Sequence, residues 1–562
     1  MSNMVPDTYK VGESALFSEP QGEIVFEGNG YTRLEEQWSK EDSQLVDIHS
    51  DNAVQIHFVR VKANNAPSKI ILENQRSICT GVKAGEMGVL LKIEEASQKY
   101  TVWIPNSAGK FQFDTHQRFA KDEQSAFSYQ WEFFPYVSLT ITRPETNGET
   151  ATIPYVVIND RCEETFDELN WLTDIERRAY FKSDWFFSRV PSDIWKYLVN
   201  GSIYDSRAYP GIGKRFKCQQ CAYAWWTYFD FLHEKTTKVI YGVMKDEIAL
   251  SVLTDMTSEG AWRHGFWSDE METHARFHLD GLHLLISQYE KTRDLIWIEA
   301  AERGVSFVSS SLMEEFDDGS LWFLHDTIEA TKNKHSVKSR IFGKSLGNSV
   351  CLNTHVQALT VLHRLQNAVP DKKIYREMFE KGTKAFQRVL EHQPGEVFFK
   401  IFMPFLIRNR TWAHGKFDSR WVLRALGGEV LRRIYWPLRR MFPRVVQPGG
   451  FIERDLTSSF FLHNYHLTNI KDFLTLYQQI PLPWLRSYIE NGVVCADELI
   501  QKLELRNALK LSRYYIEYVD ILYLYNTLFN VSMDVNFVEQ KIYEETGGYS
   551  LDYYVLKKSD ET

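Results

Sequence analysis

The densest group of chemically useful side chains follows Gly449, in the segment GGFIERDLTSSFFLHNYHLTNIKDFLTLY. Acidic, basic and hydrogen-bonding residues alternate there with aromatic ones, which is more typical of a binding-site wall than of a protein core. The segment is therefore expected to line a functional site. Its candidate residues are Glu453, Arg454, Asp455, His463, Tyr465 and His466.

A histidine and an aspartate, His325 and Asp326, follow the aromatic run of DDGSLWFLHDTIEA. Polar residues at the end of a buried element often face a cleft, and a histidine beside a carboxylate can do acid–base chemistry. The alternative is an ordinary loop in which the two neighbours do not interact. Trp322, in the same run, is a candidate for stacking on a sugar ring.

The segment WRHGFWSDEMETHARFHLDGLHLL, from Trp262, carries a third group. If a helix begins near Ser268, then Glu270, His274 and His278 lie at i, i+4 and i+8 on one face. This spacing could bind a divalent metal, although a polar cleft wall and a set of buried core groups are the other interpretations. No metal or cofactor is assigned. The substrate-binding candidates of this segment are Trp262, Arg276 and His278.

A loop rich in glycine and serine, FGKSLGNSV, leads into a helix expected to start near Ser349. Asn353 and His355 lie in its first two turns, where polar side chains can face a ligand. The loop is not a phosphate-binding P-loop, because Gly343 and Gly347 lack the required spacing and the Lys-Ser/Thr pair. A simple helix-capping loop is the alternative.

Strands and helices must position these groups, and the spacing of hydrophobic residues that predicts them changes near residue 160. Short alternating runs such as VQIHFVRVK precede it, and long stretches with helical spacing follow it, without a strict sequence repeat. The sequence predicts an α+β multidomain protein in which an antiparallel β domain precedes an (α/α) toroid. The predicted ranges are a flexible 1–19, a β-sandwich-like 20–160, a toroid over 161–550 with a basic insertion at 396–447, and a tail at 551–562.

Two of these segments resemble a known family. NYHLTNIKDFLTL, from Asn464, resembles the DYHTTHINQLQLL-like run of the D-glucuronyl 5-epimerases of heparan sulfate and heparosan. VCLNTHVQALTVLHRL, from Val350, and EKGTKAFQRVL, from Glu380, are similar to two helices of that family. The resemblance covers roughly residues 260–480. It implies a β domain followed by a helical toroid, and activity on a polysaccharide that contains uronic acid.

Carried over by position, the resemblance makes Tyr465, followed by His466, the counterpart of a family catalytic tyrosine. At two further tyrosine positions the chain departs from the family: IERDL offers Glu453 or Arg454, and WFLHDT offers His325 and Asp326. About twenty extra residues, 328–347, follow the second of these positions.

Epimerisation at carbon 5 of a uronate removes a proton alpha to the carboxylate and returns one to the opposite face. It therefore needs two acid–base groups and a cation for the developing charge. Tyr465 with His325 or Asp326 could supply the two acid–base groups. Arg276 or Arg454 could supply the cation. A polysaccharide lyase needs nearly the same groups, whereas a glycoside hydrolase needs two carboxylates. The carboxylate candidates are Glu270, Glu272, Asp326 and Glu453.

Charge and composition restrict the other classes. The formal net charge of −9 argues against a globally basic nucleic-acid binder. Yet residues 400–444 contain eleven basic residues against two acidic ones. That segment could lie on an anionic membrane, hold an anionic polysaccharide or cover a neighbouring helix. A capsule-assembly glycosyltransferase and a noncatalytic glycan-binding protein remain alternatives to an isomerase.

The N-terminus lacks a basic start and an apolar run, so a cytoplasmic, reduced protein is expected, with membrane contact through 400–444 as an option. A homodimer is also compatible with the sequence. The pair Cys218 and Cys221 has no second CxxC partner and is expected to be two reduced thiols on a helix.

Overall fold

The computed structural model describes residues 8–11, 22–37, 43–51, 54–64, 69–74, 77–85, 88–95, 98–105, 109–123, 128–132, 137–142, 150–159, 169, 180–183, 186–188, 191–205, 214–266, 269–316, 318–330, 351–391, 445–446, 449–453, 463–504 and 512–545. The predicted basic insertion at 396–447 lies almost entirely outside these ranges, as do Arg454 and Asp455.

The first part of the chain is built from strands, as the alternating pattern predicts. They are β1 (Thr8–Val11), β2 (Glu23–Gly28), β3 (Tyr31–Gln37), β4 (Ser43–Asp51), β5 (Val54–Asn64), β6 (Lys69–Asn74), β7 (Ser77–Gly85), β8 (Gly88–Glu95), β9 (Gln98–Pro105), β10 (Gly109–Phe113), β11 (Phe119–Glu123), β12 (Ser128–Glu132), β13 (Val137–Thr142) and β14 (Thr150–Asn159).

These strands form two sheets. The larger has the order β2-β3-β4-β5-β14-β9-β8-β7, with β10 bridging β14 and β11, and all its pairs are antiparallel. The smaller has the order β1-β6-β13-β12. Strand β1 lies inside the range predicted to be a flexible N-terminus, and it pairs in parallel with β6. The N-terminal range therefore contributes an edge strand.

The inner face of the large sheet packs directly on the rest of the chain. Phe58 and Trp103, both buried, contact Trp195 at ring-centroid distances of 6.0 and 5.9 Å. Trp195 lies in a 3₁₀ helix, Pro191–Lys196. Because their apolar residues form one continuous buried cluster, the sheet and the helices share a core.

Within the described ranges, six short strands and eleven helices follow. The strands are β15 (Tyr180–Ser183), β16 (Phe186–Ser188), β17 (Leu198–Val199), β18 (Ser202–Ile203), β19 (Met313–Glu315) and β20 (Leu321–Phe323). The helices are α1 (Gln219–Thr236), α2 (Val239–Thr254), α3 (Ala275–Thr292), α4 (Leu295–Ser311), α5 (Thr327–Ala330), α6 (Leu352–Ala368), α7 (Lys373–Glu391), α8 (His463–Gln479), α9 (Arg486–Glu504), α10 (Ser512–Phe529) and α11 (Asn536–Glu545). A second 3₁₀ helix, Pro483–Leu485, joins α8 to α9.

The long helices form five consecutive hairpins: α1–α2, α3–α4, α6–α7, α8–α9 and α10–α11. The first helices of successive hairpins also contact one another, so that α1, α3, α6, α8 and α10 make a continuous row. We call these five the first-row helices. Short connections make the two helices of a hairpin antiparallel, so all first-row helices run in the same direction. The closure of this row into a toroid stays a prediction.

Three hairpins are held by the same interaction, which we call the histidine clamp. The fourth residue of the first helix is a fully buried histidine whose Nε2 donates to a glycine carbonyl in the second helix. The pairs are His278 with Gly304 (3.1 Å), His355 with Gly382 (3.0 Å) and His466 with Gly492 (2.9 Å). An aromatic residue before the first helix packs on each ring: Trp262, Trp322 and Phe451.

The glycine of each clamp allows the two helices to approach closely. A Cβ on Gly382 would lie 2.6 Å from Leu359, and one on Gly492 would lie 2.1 Å from Ile470. Each of these aliphatic residues stands one turn after the clamp histidine of its helix. The clamp therefore couples a hydrogen bond to a helix contact that only glycine permits.

The sheet and the helical region are also joined by buried charges. Asp47 accepts from Arg33 (2.6 Å) and Arg60 (2.7 Å), while Arg60 also donates to Glu247 of α2. His49 completes the group with a 2.8 Å contact to Glu247. Burial favours a protonated Asp47, but the two guanidinium groups outweigh it and hold the pKa of Asp47 well below its usual range.

Among the helices in the described ranges, none is long and apolar enough to cross a membrane.

Asp47→Asn should destabilise the protein by about 3–5 kcal/mol, because two buried arginines would lose the carboxylate that both of them contact. Urea unfolding at neutral pH measures the change. The control is Glu380→Gln, which breaks an exposed pair with Arg376 and should cost less than about 0.5 kcal/mol. Equal losses in the two variants would contradict the role of the buried group.

The histidine clamps should make stability fall as the pH is lowered. Burial lowers the pKa of His355 to about 3 and that of His278 to about 4, so below about 6.5 the unfolded chain takes up protons first. Each of these two clamps is then expected to cost ~1.4 kcal/mol per pH unit between about 6.5 and its folded pKa.

His355→Gln should reduce this slope between pH 6.5 and 5 in urea titrations, whereas His116→Gln, in an exposed turn, should leave it unchanged. If the free energy of unfolding of His355→Gln changed with pH as steeply as that of the parent, His355 would not be a neutral buried histidine.

Candidate active site

Helix α3 starts later than its sequence indicates. The predicted helix from Ser268 would have placed Glu270, His274 and His278 on one face, but α3 begins at Ala275 and His274 is its N-cap residue. Met271 has a left-handed backbone (φ 55°), and the His274 N–H donates to His264 Nδ1 at 2.9 Å. Both features end the helix before it could reach Glu270, so the predicted i, i+4, i+8 metal face is wrong.

His325 and Asp326 do interact, as one of the two sequence interpretations requires. His325 Nδ1 lies 3.1 Å from Asp326 Oδ2, and both residues are buried. Asp326 Oδ1 accepts the N–H of Glu329 at 2.9 Å, while Glu329 Oε2 accepts the N–H of His325 at 2.7 Å. This reciprocal capping of α5 fixes the carboxylate, and the carboxylate in turn orients the imidazole.

The same dyad is attached to the start of α3. The carbonyl of His325 accepts the Ala275 N–H at 2.9 Å, and the rings of His274 and His325 lie 4.4 Å apart in an edge-on contact. The His325–Asp326 dyad therefore lies at the N-terminal end of a first-row helix.

Arg276 joins three first-row helices. From α3 it donates to the Asn353 carbonyl on α6 at 2.8 Å and makes a two-pronged contact with Asp472 of α8, at 2.5 and 2.9 Å. The predicted role of Arg276 was to bind the carboxylate of a substrate. Since its planar fork is already filled by Asp472, it is better described as a residue that positions the ends of α3, α6 and α8.

Polar contacts continue between α3 and α6. Gln357 Nε2 donates to Asp280 at 2.6 Å, one turn beyond Asn353 and Arg276. Further along, Arg364 contacts His283 at 3.0 Å and Ser287 at 2.8 Å. These contacts replace the apolar packing usual between neighbouring helices with a line of hydrogen bonds along the first row.

A second charged group lies between α8 and α10. Lys471 donates to Asp520 and lies 3.9 Å from Glu517, whose side chain is 18% exposed. Burial and the nearby Asp520 and Asp472 raise the pKa of Glu517, against the opposing effects of Lys471 and Arg276. A carboxyl group with a raised pKa beside an arginine–aspartate pair is a candidate acid–base group that the sequence analysis missed.

The three clamp histidines were predicted to bind substrate or to do catalysis. All are fully buried; His355 Nδ1 accepts the Phe323 N–H at 3.2 Å, and His466 Nδ1 accepts the Ile452 N–H at 2.9 Å. With both nitrogens of His355 and His466 used within the protein, these contacts favour structural roles.

The two tryptophans predicted to stack on sugar are likewise buried against the clamps. Trp262 packs edge-on against His278, and Trp322 stacks on His355 with ring centroids 3.8 Å apart and planes within 4°. Trp262 also donates to the Val252 carbonyl at 2.9 Å. These contacts favour a structural role for both rings.

Tyr465 is the third residue of α8 and is half-buried. Asp472 stands seven residues later on the same helix face, about 10 Å further along the axis. Glu453 is 3% exposed, and its carbonyl accepts from Asn469 at 3.0 Å. Arg454, His463 and Asp455 were predicted beside them, but Arg454 and Asp455, and the side chain of His463, lie outside the described residues.

The carboxylate candidates for a hydrolase differ in their exposure and hydrogen bonding. Glu270 lies in an exposed turn, whereas Glu272 is 2% exposed and its carbonyl accepts two N–H groups from the loop before α3. Asp326 is committed to capping α5 and to His325.

A surface cavity of 820 Å³ opens beside α4 and is lined in part by Arg263, Ser306, Ser310 and Thr327. Thr327 directly follows the dyad, but the described lining residues include none of the predicted site residues.

The predicted residues that remain as site candidates share one end of the first row. The His325–Asp326 dyad, Arg276 and Asn353 lie at the starts of α3 and α6, and Tyr465 lies at the start of α8. Since first-row helices run in the same direction, these starts lie at the same end of the row.

No family model matches the chain, and no curated protein matches it.

Matches among solved structures are distant. They include an unsaturated glucuronyl hydrolase specific for heparin (14% identity, 55% of this chain, 74% of the other, TM-score 0.31). A polysaccharide lyase matches at 10% identity and TM-score 0.29 over 49% of this chain, and a cellobiose 2-epimerase from Bacillus thermoamylovorans at 11% and 0.28 over 49%. The match covers 58% of the lyase and 75% of the epimerase. TM-scores this low do not establish a shared fold or activity.

The Arg276–Asp472 pair should contribute strongly to stability. Arg276→Lys keeps the charge but loses the fork, and with Asp472→Asn in a double-mutant cycle it should show a coupling energy of about 2–3 kcal/mol by urea unfolding. The same cycle on the exposed pair Arg486 and Glu490 should give less than about 0.5 kcal/mol. A coupling near zero for Arg276 and Asp472 would show that they do not hold the three helices together.

Proposed function

We propose that the chain is a carbohydrate-active enzyme that acts on a polysaccharide containing uronic acid, and that it epimerises glucuronate at carbon 5. The proposal is supported by two positions: the His325–Asp326 dyad contacts the N-terminal end of α3, and Tyr465 lies in the first turn of α8. The resemblance of NYHLTNIKDFLTL to the glucuronyl 5-epimerases supplies the substrate class.

In this proposal His325 is the base and Tyr465 the acid. Asp326 accepts the Nδ1–H of His325, a tautomer that places the basic lone pair on Nε2, and we assign Nε2 to take the proton alpha to the carboxylate. A free tyrosine is protonated at neutral pH, and we assign to Tyr465 the return of a proton to the opposite face. One C–H bond breaks and one forms, and the two groups are restored when His325 releases its proton to solvent and Tyr465 regains one from solvent.

The developing negative charge on the uronate requires a cation. Because Asp472 already fills the fork of Arg276, we assign carboxylate binding to Arg454, which precedes α8 in the chain. Arg276 then acts through position, by holding α8 and its Tyr465 against α3.

A polysaccharide lyase is the second candidate, since beta-elimination begins with removal of the same proton. The specific observation in its favour is the His325–Asp326 dyad, because proton removal by His325 can begin beta-elimination without any contribution from Tyr465. A hydrolase is less compatible with the site, because Asp326 is 0% exposed and is held by two partners.

Incubation with desulfated heparosan-type glycosaminoglycan in heavy water tests the proposal. An epimerase incorporates deuterium at carbon 5 without cutting the chain, a lyase creates the ultraviolet absorbance of a conjugated uronate, and a binding protein does neither. Absence of both exchange and cleavage on all uronate polymers tried, with a folded protein, would overturn an enzymatic role.

Tyr465→Phe should lower deuterium incorporation by about 10²–10⁴-fold while polymer binding and melting temperature stay near those of the parent. The matched control is Tyr477→Phe on the same helix, where the ring stacks on Phe529 at 5.3 Å, far from the start of α8. It should retain full exchange. A Tyr465→Phe protein with a lower melting temperature and unchanged turnover would contradict the assignment.

A further inference from the structure

Two cysteines and an aspartate meet in the interior, outside the proposed active site. The Sγ atoms of Cys218 and Cys221 and a carboxylate oxygen of Asp205 all lie within 4.8 Å of one another. Within the described ranges, this is the one group of three such ligands that comes so close together. The three residues are between 0% and 3% exposed.

Rigid backbone holds the three groups. Asp205 donates its N–H to the Phe216 carbonyl, and Cys218 donates to the Ile203 carbonyl, both at 2.9 Å. Cys218 is the N-cap residue of α1, with an extended backbone and no side-chain capping bond, and Cys221 lies in the first turn. The sulfur atoms are thus fixed by a helix start and the carboxylate by an adjoining strand pair.

We infer that Asp205, Cys218 and Cys221 supply three of the ligands of a divalent zinc ion. Tetrahedral zinc with Zn–S bonds of about 2.3 Å places its ligand atoms roughly 3.5–3.8 Å apart, which is within the observed separation. Two thiolates select zinc over the harder cations that prefer oxygen. The ion joins the start of α1 to the β17–β18 hairpin and the strand that leads from it.

Metal binding would change the charge of this site. Zinc would convert both thiols into thiolates, because a metal ligated by thiols displaces their protons. Arg215 donates to the carbonyls of Asp205 and Lys196, so a further positive charge lies beside the three negative ligands.

The sequence gives only half of this site. The Cys218–Cys221 pair without a second CxxC was expected to be two reduced thiols. Asp205 could not be recognised as a third ligand, because it is thirteen positions before Cys218 and is brought close by the pairing of Tyr204 with Lys217. The inference concerns stability and is independent of the proposed epimerase activity.

The full-length chain, purified under reducing conditions, should contain about one zinc per molecule by mass spectrometry of the metal. Replacement by cobalt should produce a thiolate-to-cobalt charge-transfer band, a signature that needs no variant. Cys221→Ser should abolish both signals, and Asp205→Asn should weaken zinc at least about tenfold in competition with a chromophoric chelator.

Cys351→Ser is the matched control, because Cys351 is also a buried N-cap cysteine, at the start of α6. It should keep the full zinc content. A parent protein without zinc and without the cobalt band, or one whose Cys218 and Cys221 are recovered as a disulfide, would overturn the inference. Equal loss of zinc in Cys351→Ser would do so as well.

Discussion

The helical region depends on a neutral, buried histidine that donates to a carbonyl of the next helix. A charged imidazole could not stay in this position, since its desolvation would exceed the value of one hydrogen bond. The imidazole of His355 is enclosed in this way: Trp322 stacks on its face, Nε2 donates to the Gly382 carbonyl, and Nδ1 accepts the Phe323 N–H. The interaction thereby fixes the distance between two helices, the start of the first and the loop before it.

The clamp also sets where chemistry can take place. It occupies the fourth position of α3, α6 and α8, so other functional side chains must lie before it or on a different face. Arg276 and Tyr465 precede their clamp histidines, and Asp280 and Asp472 follow on the helix face shared with Arg276 and Tyr465. The contact between Arg276 and Asp472 then aligns these ends, and the buried group around Asp47 holds the whole assembly against the sheet.

Much of the architecture could be predicted, because the alternation of hydrophobic residues in strands and their helical spacing can each be seen within one segment of sequence. The change from strands to helices near residue 160 and the helices around Gln219, Asn353 and Lys373 follow from period alone. The clamp could not be predicted in this way, because its residues have no constant spacing. The stretch from Trp322 to His355 is much longer than the stretch from Phe451 to His466. The start of α3 was misplaced because a left-handed Met271 leaves no signature in residue type. Asp472 and Glu517 escaped notice because residue type alone does not distinguish a carboxylate that faces another helix from one on an exposed helix face.

The clamps differ from the sheet in the length of chain that each must bring together. His466 and Gly492 are 26 residues apart, whereas β5 pairs with β14 across most of the β domain. Local contacts close quickly and distant strand pairs slowly, because the entropy lost on closing a loop grows with its length. Each helical hairpin can therefore complete its clamp soon after synthesis, while the central strand pair of the large sheet waits for Thr150–Asn159. The two halves of the chain are expected to acquire native contacts on different timescales, with the slower half synthesised first.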